Sequence, residues 1–254
     1  YEIGSGLVGS EMCIRDRLLS FVAIMLGQAP VRHWWRLGRL YTRVRGAGQT
    51  LISYNGTMFE YLMPLLLQPT VPLTLLDGVC RAAVKAQARC RRGGVFGVSE
   101  SGYYAFDPNL YYLYKAFGLP RLSLDPDQRS DVIAPYATFL AMQTDLKSAF
   151  QNLLRLMSLG MEGPLGMFEA ADFSPARTDG QPMRIVRSHM AHHQGMILLA
   201  VCNVLEEGYI AGLFSSLPRA QAYRLLLEER PFRARGLIRR PLRRTARETP
   251  LSAA

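Results

Sequence analysis

The stretch DLKSAFQNLLRLMSLG, residues 145–160, decides the fold class. Leu146, Phe150, Leu153, Leu154 and Met157 recur at the three- and four-residue spacing that gathers side chains on one face of a helix. Thr144 or Asp145 offers the side-chain oxygen that satisfies the first free amides of a helix, and Gly160 tolerates the backbone that ends one. The pattern predicts an amphipathic helix from 145 to 159 with those five residues as its apolar stripe. On either side the same period returns. Residues 73–91 place Leu73, Leu76, Val79, Ala83 and Ala86 on one face, ahead of a basic turn and Gly93-Gly94. Residues 57–68 are apolar around Glu60, with Pro64 as a kink or an end. Pro135 suits the first turn of a helix within 131–142. Residues 186–206 and 218–229 read as two further helices. Between them lie loops rich in Gly, aromatics and acids, at 45–56, 93–109 and 160–182. The whole predicts an all-α domain whose connecting loops build one face, and loops are where sites usually sit.

Composition narrows the function classes. Of 254 residues, 49% are hydrophobic and 20% charged, which excludes a disordered chain, a fibrous repeat and a disulfide miniprotein. The net charge of +10 is high, but it is local. Residues 230–247 hold eight arginines and no acid, and 18–229 carry only +4. A basic stripe over the fold is absent, so no nucleic-acid partner is expected, and the arginine run reads as a linker or solvated tail. Cys13, Cys80, Cys90 and Cys202 form no CxxC pair or zinc spacing and read as buried apolar cysteines of a reducing compartment. The longest apolar run, near Leu18–Leu26, is half of the roughly 20 residues that a bilayer span needs. Residues 1–17 show no period. Within them GSGLVGSEMCIRDR resembles the translation of a sequencing adapter, so the domain is expected to run over 18–229, with a basic tail at 230–254.

Three acids stand alone in apolar, aromatic surroundings: Glu60 in NGTMFEYLMP, Glu100 in FGVSESGYYAFD and Glu169 in GPLGMFEAAD. Such surroundings penalise the charged form of a carboxylate, the tuning a general acid needs near neutral pH. A pair of carboxylates flanking a sugar bond is the usual glycosidase apparatus, about 5–5.5 Å apart in retaining and about 6.5–9.5 Å in inverting enzymes. Trp34, Trp35, Tyr54, Tyr61, Tyr103 and Tyr104 offer flat faces for sugar stacking. In SHMAHHQGM (188–196), His189, His192 and His193 share one helix face, but Met190 stands where a metalloprotease motif needs Glu, so no metal is expected.

Six stretches, in this order, carry a resemblance: LLSFVAIMLGQAPVRHWWRLGR (18–39), LISYNGTMFEYLMPLLL (51–67), GVSES (97–101), DVIAPYAT (131–138), GMFEAADFSPAR (166–177) and VRSHMAHHQGM (186–196). Together they resemble the glycoamylase-like domain of cyclic β-1,2-glucan synthases, which is related to endo-β-1,2-glucanases. The sequence departs from that family at Tyr54 and Phe96, where Trp is usual, and at Met167-Phe168, where Phe-Tyr is usual.

The resemblance implies an (α/α)6 toroid, here truncated at its N-terminus, and a domain that cyclises linear β-1,2-glucan by retaining transglycosylation. Hydrolysis of the same glucan, or non-catalytic glucan binding, are the alternatives. It implies Glu169 as acid/base and Glu100 as nucleophile. It implies Glu60, Trp34, Tyr54, Tyr61, Tyr103, His192, His193 and Gln194 as substrate-binding or supporting residues. No cofactor is implied. The implied partners are the glucan chain and the other domains of a larger synthase, on the cytoplasmic side of the inner membrane.

Overall fold

All eight residues of the segment Pro135–Met142 are buried, and the helices over Met58–Leu62, Leu146–Ser158 and Ala191–Leu205 pack against it. The computed structural model describes residues 17–125 and 130–230. Cys13, the rest of the adapter-like stretch to residue 16, and the basic run from 231 onward lie outside the described residues.

The chain begins with α1 (Arg17–Met25) and α2 (Arg32–Arg36), then the hairpin β1 (Tyr41–Val44) and β2 (Gly48–Leu51). Next come α3 (Met58–Leu62), which tightens into a 3₁₀ turn over Met63–Leu66, and α4 (Leu75–Arg89). The strands β3 (Ser101–Phe106) and β4 (Tyr112–Lys115) form a second hairpin, followed by β5 (Val132–Ile133), α5 (Pro135–Met142) and α6 (Leu146–Ser158). The short strands β6 (Glu162–Gly163), β7 (Gly166–Met167), β8 (Ala170–Asp172) and β9 (Arg184–Val186) lead into α7 (Ala191–Leu205). The helices α8 (Tyr209–Ser215) and α9 (Pro218–Ala222) and a 3₁₀ turn over Arg224–Glu228 finish it.

Several local expectations hold. Asp145 caps α6, its side chain accepting from the Ser148 amide at 3.1 Å. Pro135 is at the start of α5, and Pro64 lies where α3 gives way to the 3₁₀ turn. The buried face of α4 includes Leu76, Val79, Ala83 and Ala86, but Leu73, expected on that face, lies before the Thr74 cap and is exposed.

Other expectations are corrected. The fold is helical but not all-α, because the loops contain small antiparallel sheets. In the first hairpin Gly46 and Gly48, both at positive φ, make the turn between strands holding the β-branched Thr42, Val44 and Thr50. The helix expected over 186–206 starts at Ala191, because Arg184–Val186 pair with β8 as a strand. The segment 218–229 is a short helix followed by a 3₁₀ turn. Cys90 is exposed and Cys202 half-buried, and of the described cysteines only Cys80 sits in the core.

The largest correction concerns α6. Its apolar stripe faces outward: Leu146, Phe150, Leu154 and Met157 are exposed, and the buried face is Ala149, Asn152 and Leu156. Asn152 is hydrogen-bonded on that buried face. Its amide accepts from the Phe96 N–H at 2.9 Å and donates to the Phe96 carbonyl at 2.8 Å and to Thr138 Oγ1 at 2.9 Å. That ties α6 to α5 and to the chain leading into Glu100. The central sheet has the order β5-β8-β9, with Val132 opposite Asp172 and Ala170 opposite Val186, and β3 packs against it.

Candidate active site

Glu100 ends the loop that enters β3, and Glu169 ends the loop that enters β8. Because β3 packs on β8 and β9, the two loops deliver their acids to one place. Glu169 is 2% exposed, with one carboxylate oxygen accepting from the Gly102 amide at 3.1 Å and the other meeting His193 Nδ1 at 2.8 Å. A Cβ at Gly102 would sit in van der Waals contact with Glu169 Cγ and Val186 Cγ1, so the backbone there runs close beneath the acid. The Glu169 amide donates to Ser188 O at 3.0 Å, which fastens the loop to the approach of α7.

His193 lies in the first turn of α7 and is 1% exposed. The Tyr136 ring of α5 stacks on it, centroids 3.8 Å apart and planes within 14°. Tyr136 also supports Glu100, its hydroxyl donating to the Glu100 carbonyl at 3.0 Å. Ser99 Oγ lies 2.8 Å from the same hydroxyl and accepts from the Phe59 amide at 3.0 Å. Each group in this chain therefore donates to the next, from α3 to the backbone of Glu100.

Tyr114 completes the cluster. It stands opposite Gly102 in the β3–β4 ladder. Its hydroxyl donates to Glu100 Oε1 at 3.0 Å and lies 3.4 Å from Nε2 of both His192 and His193. Burial, then the charge of Glu100, pushes the Tyr114 hydroxyl far above the usual phenol range. Burial does the same for Tyr136. Both phenols therefore act as fixed hydrogen-bonding groups rather than as acids. His192 is exposed, and burial of its ring edge together with His193 pushes it below the ordinary histidine value. Gln194 Nε2 donates to Met167 O at 3.0 Å and His189 Nδ1 meets the same carbonyl at 3.1 Å, bracing the turn before Glu169.

The structure thus brings Glu100, Glu169, His192 and His193 together, with Gln194 alongside. It places five other sequence candidates elsewhere. Glu60 is 3% exposed and its carboxylate is filled by Ser53 Oγ at 2.9 Å, the Asn55 and Thr57 amides at 3.1 Å and Thr57 Oγ1 at 3.3 Å. It completes a capping box on α3, and its hydrogen bonds are all to the loop it shapes. Trp34 is 2% exposed and sits edge-on to Phe21 in the core. Tyr61 is fully buried, its hydroxyl donating to Leu51 O at 2.7 Å. Tyr103 is buried beneath the Arg177 guanidinium, with its hydroxyl on Ser130 Oγ at 2.9 Å. These three aromatics fill the interior, whereas Trp35, also a stacking candidate, is exposed. Tyr54 is half-exposed on the loop that Glu60 braces, and no contact joins it to the cluster among the described residues. Tyr114 was missed because its role depends on strand register, which the aromatic run YYLYK does not disclose. Among the described residues, no group of three His, Cys, Asp or Glu side chains is placed to hold a metal ion.

The chain is 40% identical over 218 residues to the cyclic β-(1,2)-glucan synthase NdvB of Rhizobium meliloti strain 1021. The chain is a relative of the cyclic β-1,2-glucan synthases. The match takes in 84% of this chain but 8% of that protein. No protein-family profile matches. Among solved structures, an endo-β-1,2-glucanase of Talaromyces funiculosus in complex with sophorose aligns with a TM-score of 0.61 at 16% identity, over 86% of this chain and 46% of that one. A glucoamylase-like protein of Bacteroides caccae aligns at 0.55 and 22%, over 74% and 46%. An endo-β-1,2-glucanase of Chitinophaga pinensis aligns at 0.51 and 18%, over 71% and 44%. These likenesses show the fold, and the chain spans less than half the length of each. No single described helix is long and apolar enough to cross a bilayer, and α7 with α8 reaches that length only as a pair bent by 92°.

Proposed function

We propose that this chain is part of a carbohydrate-active domain that cyclises linear β-1,2-glucan by retaining transglycosylation, within a larger synthase. One observation carries the reading. In a relative of the cyclic β-1,2-glucan synthases, the two loops that enter β3 and β8 converge so that Glu100 and Glu169 share one hydrogen-bonded cluster. Glu100 takes the role of nucleophile, because the Tyr114 hydroxyl donates to its carboxylate and holds it in place. Glu169 takes the role of acid/base, because its contact with His193 at 2.8 Å holds a proton that either partner can carry.

The chemistry follows from those roles. Glu100 attacks the anomeric carbon and forms a glycosyl ester, while the proton at Glu169 goes to the departing glycosidic oxygen. Glu169 then takes the proton of a 2-hydroxyl at the chain's own far end, whose oxygen attacks the anomeric carbon and frees Glu100. Two inversions give net retention and close a ring. Water in place of that hydroxyl would give hydrolysis, so acceptor binding decides the outcome.

The same reading assigns the elements to an incomplete (α/α)6 toroid, with the exposed apolar face of α6 set against parts of the domain beyond this chain. The parent would hold this domain on the cytoplasmic side of the inner membrane. The test is Glu100→Gln and Glu169→Gln in the full-length protein, supplied with linear β-1,2-glucan. Each substitution is expected to lower ring formation at least a hundredfold. Activity that survives both would overturn the assignment.

A further inference from the structure

The catalytic reading uses Glu100 and Glu169 but leaves unexplained why one phenol reaches one carboxylate and the histidine of the other. We propose that Tyr114 and His193 join Glu100 to Glu169 in a relay, so that the two carboxylates share one proton and titrate as a unit. The path is continuous: Glu100 Oε1 to the Tyr114 hydroxyl is 3.0 Å, that hydroxyl to His193 Nε2 is 3.4 Å, and His193 Nδ1 to Glu169 Oε2 is 2.8 Å. Its inner end is sealed, since Glu169 and His193 are both buried and Tyr136 covers one face of the imidazole.

Hydrogen-bond polarity allows two arrangements with the same number of protons. In the first, Glu100 is ionised and accepts from Tyr114. The Tyr114 oxygen then accepts from His193 Nε2–H, and the remaining proton lies on the 2.8 Å contact between His193 Nδ1 and Glu169, where either partner carries it. In the second, the Nε2 proton has passed to the Tyr114 oxygen and the Tyr114 proton has passed to Glu100 Oε1. Glu100 is then a neutral acid, His193 is neutral and still donates to Glu169, and no atom or electron has entered or left. The first arrangement has an ionised nucleophile and an acid proton beside Glu169, as the proposed reaction requires. The second has neither. Tyr114 and His193 are thus positioning residues that select between an armed and an idle site. The titratable groups facing the imidazole are Glu169 and Glu100 from the loops, Tyr114 from β4, Tyr136 from α5 and His192 from α7.

The inference rests on the proposed function only for what the shared proton does, so the experiment has two arms. In the full-length protein, exchange of the histidine C2 hydrogen, read by peptide mass spectrometry against pH, reports each imidazole's protonation without substrate. Tyr114→Phe and Glu100→Gln are each expected to displace the His193 curve by half a pH unit or more. The His33 curve should stay put, since that ring bonds to Ser20 instead. An unmoved His193 curve in both variants overturns the relay, and Glu100→Gln alone decides if Tyr114→Phe does not fold. In the second arm, Tyr114→Phe is expected to lower kcat/KM for glucan at least tenfold and to move the acid limb of its pH profile upward. The double variant Tyr114→Phe/His193→Asn should lose no more than about threefold beyond the worse single variant, because groups acting as a unit are not additive. An unchanged pH profile, or fully additive losses, would also overturn it. A wild-type protein with a displaced His193 curve in the variants but no action on β-1,2-glucan would refute the function and leave the relay standing.

Discussion

Replacing Glu60 with alanine separates a structural acid from a sugar-binding one. The Glu60 carboxylate is the acceptor for the Ser53 hydroxyl and for the Asn55 and Thr57 amides, at 2.9–3.1 Å, and the residue is 3% exposed. Removing it leaves three donors without that acceptor in a place water barely reaches. Each orphaned buried donor costs about 1–3 kcal/mol. Asn55 is only half-buried and the Ser53 hydroxyl can turn, so the lower half of the range applies to them, and the full range to the Thr57 amide. The expected loss is about 3–7 kcal/mol, or roughly 6–28 °C in melting temperature for a domain of this size. Glu60→Gln keeps one acceptor oxygen but turns an amide against the remaining donors, so it should fall between wild type and alanine. The assay is thermal melting of each variant, with hydrogen exchange followed over residues 53–62. Faster exchange there with turnover per folded molecule kept within about threefold is the expected outcome for a bracing residue. An alanine variant that melts within 2 °C of wild type (roughly the shift of 1 kcal/mol) yet loses glucan turnover would refute the reasoning.

Three further predictions address other parts of the molecule. A Cβ on Gly118 would lie 2.1–2.4 Å from the backbone of Asn55 and Gly56, so Gly118→Ala should cost about 2–3 kcal/mol by forcing those segments apart. Chemical denaturation checks this, and a loss below 0.5 kcal/mol (about the scatter of ordinary surface changes) would contradict the close approach. Burial alone would raise the Asp172 carboxyl, but hydrogen bonds from Arg177, Ser174 and the Tyr104 amide overcome it and hold the group below the ordinary carboxylate value. Its stabilisation is therefore complete above the unfolded value near pH 4 and is lost as pH falls through the lowered folded value. The stability gap between wild type and Asp172→Asn should be widest at pH 7 and close towards pH 2 in urea titrations, whereas a constant gap would rule the ion pair out as its source. Finally, Asn152→Leu fills α6's buried face with an apolar group but strands the Phe96 N–H and leaves the Phe96 carbonyl only the 3.5 Å contact from Thr138 Oγ1, and should cost about 2–4 kcal/mol by the same denaturation measurement. A neutral or stabilising result would mean that the amide does not anchor α6.

How far the sequence was legible depends on what each residue answers to. Helix existence is a local matter of period and caps: α5 and α6 lie where Pro135 and Asp145 predict them, and α4 lies within the period read over 73–91. Helix orientation is not local. Four of the five apolar stripe residues of α6 face out, while the amide of Asn152 faces in and is hydrogen-bonded there. The acids behaved likewise. Glu60, Glu100 and Glu169 look alike in sequence, each alone among apolar and aromatic neighbours. Thr57, three residues before Glu60, is the one signal that marks it as half of a capping box. What separates Glu100 and Glu169 from it is the packing of β3 on β8, a contact between segments nearly seventy residues apart in the chain. Tyr114 was hidden for the same reason, since only the register opposite Gly102 brings it to Glu100. Trp34, Tyr61 and Tyr103 show the converse. An aromatic suits a sugar face and a core equally well, and here their burial decides for the core.

The most direct test of the central claim is the mass of the product. Linear β-1,2-glucan is incubated with the full-length protein that carries this chain, and the products are compared with those of Glu100→Gln and Glu169→Gln. The account predicts rings one water lighter than linear chains of the same number of sugars, formed by wild type and by neither variant. Products that all keep the mass of linear chains, or rings formed equally well by both variants, would contradict it.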